Sequence, residues 1–175
     1  MNTAAVIPEA LRQQFVELLE RHSGMVFKVA NTYARGAGDR DDLAQEIAVH
    51  LWRAYPSYDQ TRPFSTWLYR IALNVAISHL RSDGPRQRRT VPFDPDLHDL
   101  PDPHQEGVAD EPAALLSQFI ATLDPLNRAL LLLYLEERSY REIAEILGIS
   151  ATNVATKINR LKERVQRYGA THGTR

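Results

Sequence analysis

The chain has 175 residues, 43% of them apolar and 25% charged, with a formal net charge of −1 and no cysteine. Those proportions belong to a folded protein, and they exclude disulfides and thiolate metal sites, which makes a reducing cytoplasm the expected compartment. The longest apolar run, ALLLLYL at 129–135, falls far short of the ~20 residues of a membrane span. The start MNTAAVIPEALRQQ has no basic stretch leading into an apolar core, so neither membrane insertion nor a secretory signal is expected.

The neutral total hides a division. Residues 1–83 carry nine acids and nine bases, residues 84–112 seven acids and three bases, and residues 113–175 six acids and nine bases. The basic excess gathers in 151–167, where five bases face only Glu163. A local basic stretch on a neutral chain points to local contact with nucleic acid.

In chain order, Pro8 opens a first helical pattern with Leu11, Phe15, Leu18 and Leu19 on one side, ending at His22-Ser23-Gly24. A second runs from about Met25 through Phe27, Val29, Ala30 and Tyr33 to Gly36-Ala37-Gly38. Asp39 is expected to cap a third through its side-chain oxygen. Leu43, Ile47, Leu51 and Ala54 form the buried stripe of that helix, which breaks at Tyr55-Pro56. A fourth starts after Pro63 and reaches about Arg81, burying Phe64, Leu68, Ile71 and Val75. From 84 to 112 the acids are punctuated by Gly84, Pro85, Pro92, Pro95, Pro101, Pro103 and Gly107 without a sustained period, which reads as a linker. Periodicity resumes at Ala113, turns at Asp124-Pro125 and continues through Leu126, Leu130, Leu133 and Tyr134. The expected fold is all-α: two small helical domains, 8–83 and 113–168, joined by a flexible linker over 84–112.

Near the C-terminus a helix-turn-helix is spelled out residue by residue. Ser139 and Glu142 fit a capping box, Gly148 supplies a positive φ at the turn, and Ser150 caps the next helix. Val154, Ile158, Leu161 and Val165 face inward. Thr152, Thr156, Asn159 and Arg160 then face outward, flanked by Asn153, Ala155 and Lys157, with Arg141 on the preceding helix. Short polar groups at a helix start, followed by bases, suit entry into a major groove with Lys and Arg on phosphates.

In the third helix Asp41, Asp42, Gln45 and Glu46 share one face. Acids near a helix N-terminus are stabilised by its dipole, which by itself accounts for the patch; the repulsion of Asp42 and Glu46 at i,i+4 leaves a basic partner as the alternative. The fourth helix and its preceding loop collect aromatic and polar residues suited to stacking unpaired bases and following a backbone. The candidates are Tyr58, Asp59, Gln60, Thr61, Arg62, Trp67, Arg70 and Asn74; Phe64 and Trp67 also suit the core. The six histidines are scattered and no phosphate loop or nucleophile motif is present. Neither an enzyme nor a cofactor or metal site is expected.

Together these segments resemble the extracytoplasmic-function class of bacterial sigma factors, over about residues 10–83 and 112–167. DRDDLAQEIAVHLWRAY is similar to the segment that docks on the clamp helices of the RNA polymerase β′ subunit, which implies core binding for Asp41, Asp42, Gln45 and Glu46. FSTWLYRIALNVAISHLR is similar to the segment that opens and reads the minus-ten element, with the loop 58–63 placed where the family captures a flipped base. LDPLNRALLLLYLEERSYREIAEILGISATNVATKINRLKERV is similar to the region that reads the minus-thirty-five element and binds the β flap. Many relatives carry Gly-Thr-Val-Lys-Ser-Arg where this chain has Thr152-Asn153-Val154-Ala155-Thr156-Lys157, a departure that bears on DNA sequence preference and not on fold. The resemblance also implies an anti-sigma partner and a linker lying in the polymerase channel. The competing expectation is a stand-alone helix-turn-helix regulator whose N-terminal bundle senses a ligand, which predicts tight duplex binding without polymerase.

Overall fold

The computed structural model describes residues 8–82 and 111–173, and all regular secondary structure among them is helical. The N-terminal bundle comprises α1 (Glu9–Arg21), α2 (Ser23–Tyr33), α3 (Ala37–Ala54) and α4 (Phe64–Ser82), with a 3-10 turn at Tyr55–Ser57 after α3. The C-terminal unit comprises α5 (Glu111–Ala121), α6 (Pro125–Leu135), α7 (Tyr140–Leu147) and α8 (Ala151–His172). Most of the expected linker, residues 84–110, lies outside the described residues.

The bundle core keeps Phe15 and Leu19 of α1, Ala30 and Tyr33 of α2, Leu43, Ile47 and Leu51 of α3 and Leu68 of α4 from the expected stripes and adds Val26, Tyr69, Ala72 and Leu73, each at most 2% exposed, while Ala54 and Ile71, expected to be buried, are half-buried. Burying a side chain of this size contributes ~1.5–3 kcal/mol. In the second unit Leu130, Leu133, Ile143, Val154, Ile158 and Leu161 extend the same continuous core.

Several expected boundaries move. Asp39 does not cap α3: the N-cap is Gly36, in extended backbone, and α3 begins at Ala37. The Asp39 carboxylate instead reaches back to accept from the Arg35 N–H at 2.9 Å, closing the preceding turn. The second helix starts at Ser23, ahead of Met25, because the Ser23 hydroxyl donates to Glu20 O at 3.0 Å and lets α2 follow α1 with only His22 between them. Helix α5 starts at Glu111 inside the expected linker, and α8 runs on to His172. That extension has a packing reason, since Tyr168 meets Phe119 of α5 at 5.3 Å between ring centroids.

The two units are not held apart. Helix α4 packs on α7, and α2 packs on α5 and α6.

Candidate functional site

The helix-turn-helix forms as its residues require. Ser139 accepts from the Glu142 N–H at 3.2 Å while the Glu142 carboxylate accepts from the Ser139 N–H at 2.8 Å, which satisfies two free donors at the start of α7. The bond from the Ser139 N–H first, and then the Ser139 hydroxyl, hold the Glu142 carboxyl below its ordinary pKa. Ser139→Ala is expected to lower stability by ~1 kcal/mol, read as a shift in the midpoint of urea unfolding. Gly148 ends α7 at φ 68°, the left-handed conformation that only glycine adopts freely. Ser150 then caps α8 by accepting from the Asn153 N–H at 3.1 Å.

On α8, Thr152, Asn153, Thr156, Asn159 and Arg160 are exposed and Lys157 is half-buried; Arg141 on α7 is exposed. Thr156 donates its hydroxyl proton to Thr152 O at 3.1 Å, so only its oxygen remains to meet a base edge. The inward side of α8 borders an apolar hollow of about 380 Å³ lined by Leu116, Leu131, Tyr134, Leu135 and Val165. Leu135, at 46%, is the exposed large hydrophobic among the described residues.

A second cleft, of about 260 Å³, opens beside the start of α4 and is lined by Tyr58, Asp59, Arg62, Trp67 and Arg70. Five of the eight residues expected here are thus brought together; Gln60 and Thr61 sit exposed on the loop above. Asn74 is exposed one turn beyond Arg70, outside the cleft lining. The loop is held by its own chemistry. Asp59 accepts from the Thr61 hydroxyl at 2.7 Å and the Thr61 N–H at 3.0 Å, and both bonds lower its pKa, the hydroxyl first. Tyr58 donates to Arg62 O at 2.6 Å. Its ring packs 4.9 Å from Trp67 and 5.5 Å from Phe64, so it is a wall of the cleft and not a free stacking platform. Burial pushes the Tyr58 hydroxyl pKa up. Sequence reasoning missed Ser57 and Thr66, which add hydroxyls to the lining, and Glu145, which comes from α7. Thr66 lies one turn before Arg70 on α4, at i,i+4, and was legible from helical spacing; nothing in the sequence signals Glu145.

The acidic face of α3 divides into tied and untied groups. Asp41 pairs with Arg40 at 3.1 Å, and Glu46 lies 3.3 Å from His79 Nδ1. Asp42 is exposed with no ion-pair partner among the described residues, and Gln45 is half-buried beside it. His79 also places Nε2 2.9 Å from Asp39, so this imidazole clips α4 to two points of α3.

Residues 18–86 match the Sigma-70 region 2 family and residues 113–165 match Sigma-70, region 4. The ECF RNA polymerase sigma factor SigE of Mycolicibacterium smegmatis is 28% identical over 170 residues, covering 95% of this chain and 65% of that protein. The RNA polymerase sigma factor NccH of Alcaligenes xylosoxydans xylosoxydans is 30% identical over 159 residues, covering 86% of this chain and 84% of that protein. The chain belongs to the extracytoplasmic-function (ECF) sigma factors. Its fold is that of the solved structure of CnrH in complex with the cytosolic domain of CnrY, at a TM-score of 0.65 and 23% identity over 92% of this chain and 90% of that one. Sigma factors are transcription initiation factors and not catalysts in their own right. No described helix is long and apolar enough to cross a membrane.

Regions 2 and 4 of this ECF sigma factor are joined by a polar seam that the sequence does not announce. Lys28 of α2 donates to both carboxylate oxygens of Glu136, just after α6, at 2.7 and 2.8 Å. Tyr69 of α4 donates to the same carboxylate at 3.4 Å, and burial followed by the Glu136 charge drives its pKa far up. Arg138 lies 5.3 Å over the Tyr69 ring and donates to the Ser65 hydroxyl at 3.1 Å. Tyr33, fully buried, donates to Pro125 O at 2.7 Å. At the cleft, Arg62 of region 2 pairs with Glu145 of region 4 at 3.2 Å.

The His79 clip gives region 2 a pH dependence of definite sign. Burial alone lowers the pKa of His79, but its bond to Asp39, then the charges of Asp39 and Glu46, more than offset this and hold it above the ordinary 6.5. Stability from a raised histidine pKa is fully present below the unfolded value and is lost as pH rises through the folded one. Burial raises the pKa of Asp39, but the Arg35 N–H and His79 hold it below 3.8, so its contribution is present above that value and lost as pH falls through the folded one. The melting temperature is therefore expected to decline as pH rises past neutrality, and His79→Gln to flatten that decline in a pH series of thermal melts.

Proposed function

We propose that the chain is a dissociable specificity subunit that binds bacterial RNA polymerase core and directs promoter recognition, DNA melting and transcription initiation in the cytoplasm. The observation that carries it is that the two matched families, region 2 and region 4, fall in that order on the two helical units. Asp42, with Asp41, Gln45 and Glu46 beside it, meets the β′ clamp helices. The cleft bounded by Tyr58, Asp59, Arg62, Trp67 and Arg70, with Gln60 and Thr61 on its rim and Asn74 beyond, takes an unstacked minus-ten base. Flipping a base costs a few kcal/mol, which contacts inside such a cleft offset.

Region 4 reads the minus-thirty-five element with Arg141, Thr152, Asn153, Thr156, Lys157, Asn159 and Arg160, and its apolar hollow receives the β flap. The two elements, by their names, lie about 25 base pairs apart, or ~85 Å of duplex at 3.4 Å per base pair. Arg62 and Glu145, at the facing ends of the two readers, are 3.2 Å apart. Reading both elements at once therefore requires regions 2 and 4 to part, and an anti-sigma partner would act by holding them together.

The test is run-off transcription by purified bacterial core polymerase on a pool of genomic fragments, with and without the protein. Discrete new start sites are expected. No new starts, together with tight duplex binding by the protein alone, would replace this reading with a stand-alone helix-turn-helix regulator.

A further inference from the structure

Both ring nitrogens of His79 face carboxylates, Nε2 at 2.9 Å from Asp39 and Nδ1 at 3.3 Å from Glu46. A neutral imidazole has one N–H and one lone pair, so only the imidazolium donates to both. The side chain is 16% exposed and sits in the last turn of α4, where the negative end of the helix favours a cation. The other elements packed on α4 do not set its charge. The ionic groups that α2, α6 and α7 bring to α4, namely Lys28, Glu136 and Arg138, gather around Ser65 and Tyr69, about 15 Å back along the helix at ~1.5 Å per residue. At the cleft end, Glu145 of α7 is bound to Arg62. Arg35, in the turn before α3, acts on Asp39, and Arg81 of α4 itself is exposed. The charge on His79 thus answers to Asp39 and Glu46.

Glu46 belongs to the face that meets polymerase in the reading above, and the inference that follows rests on that reading. A carboxylate already bound to an internal cation is less available to a partner's Lys or Arg, and a partner that takes it brings a second cation toward the imidazolium. We propose that His79 competes internally for Glu46, so that docking of a basic partner on the acidic face of α3 expels a proton from His79 and tightens as pH rises. Free protein holds the proton more firmly than the complex does. Binding is therefore weakest below both pKa values and strongest above both, by about tenfold for each unit that docking displaces.

The experiment measures the affinity of the full-length protein for core polymerase from about pH 6 to about pH 9, with protons counted by calorimetry in two buffers of different ionisation enthalpy. Wild type is expected to tighten with pH and to release a proton fraction that His79→Gln does not. His79→Gln should bind several-fold more tightly than wild type at the acid end and equal it at the alkaline end. Groups that titrate on the polymerase cancel in the comparison. Asp39→Asn keeps the histidine but removes one of its carboxylates, and is expected to move the midpoint of the pH dependence to lower pH. Equal slopes and equal proton release in wild type and His79→Gln, or a midpoint that Asp39→Asn leaves in place, would overturn the proposal. Undiminished binding by Asp42→Lys would instead show that the docking face itself is misassigned, and the role of His79 would fall with it.

Discussion

Asp42→Lys combined with Glu46→Lys is expected to abolish binding to core polymerase while leaving the helical content intact. Asp42 is exposed and has no ion-pair partner among the described residues, so reversing its charge sets a cation against the basic surface that the acidic face is proposed to meet. Like charges juxtaposed at an interface cost several kcal/mol, and two such reversals remove on the order of three decades of affinity or more at 1.4 kcal/mol per decade. The fold has little reason to fail, because Asp42 is exposed and Glu46, half-buried against His79, lies outside the buried stripe of Leu43, Ile47 and Leu51. Glu46→Lys does place an ammonium against His79 and loosens the clip to α4, so Asp42→Lys alone is the cleaner arm and should retain most of the loss. Binding at wild-type affinity, checked by co-elution with core polymerase and by fluorescence anisotropy, would show that another surface makes the contact.

Glu136→Lys is expected to separate region 2 from region 4. The Glu136 side chain is 20% exposed and holds Lys28 through both of its oxygens, with Tyr69 as a further donor. Reversal leaves two ammonium groups facing each other in a site that is largely withdrawn from water. Removing one partner from a buried pair costs ~3–5 kcal/mol; discounted for the 37% exposure of Lys28, the seam should lose on the order of 2–3 kcal/mol. Each region keeps the packing among its own helices, α2, α3 and α4 in one and α6, α7 and α8 in the other, so far-UV circular dichroism should stay the same while the radius of gyration from small-angle scattering increases. The cleft then loses its Glu145 wall, and Arg62 is released from its ion pair. An unchanged radius would mean that the apolar contacts of α2 with α5 and α6, and of α4 with α7, suffice without the ion pair.

These two variants probe features of different legibility. The acidic face of α3 could be read because helical geometry places residues three and four apart side by side, whatever else the chain does. The capping box at Ser139, the left-handed Gly148 and the Ser150 cap were legible for the same reason: each is a contract between a side chain and a backbone only a few residues away. Asp39 shows where local reasoning misleads. Its carboxylate was expected to accept from the start of its own helix, but it accepts from Arg35 behind it and from His79, forty residues on. An aspartate carries the same cap signal in either case, and the competing donor comes from another helix.

By itself, then, the sequence determined the all-α class, most of the apolar positions that fill the core, the helix-turn-helix and the outward residues of α8, since all of these follow from periodicity and from backbone groups that must be satisfied locally. Only the tertiary structure decided which groups are already engaged. Glu46 is tied to His79, Tyr58 is locked as a wall of its cleft, Glu145 closes that cleft from the other region, and Lys28 and Glu136 join the two regions. The reason is physical: apart from the local lock on Tyr58, these contacts link residues 33 to 108 positions apart. No rule of local spacing fixes such a distance, because the packing of whole helices must first bring the partners within reach.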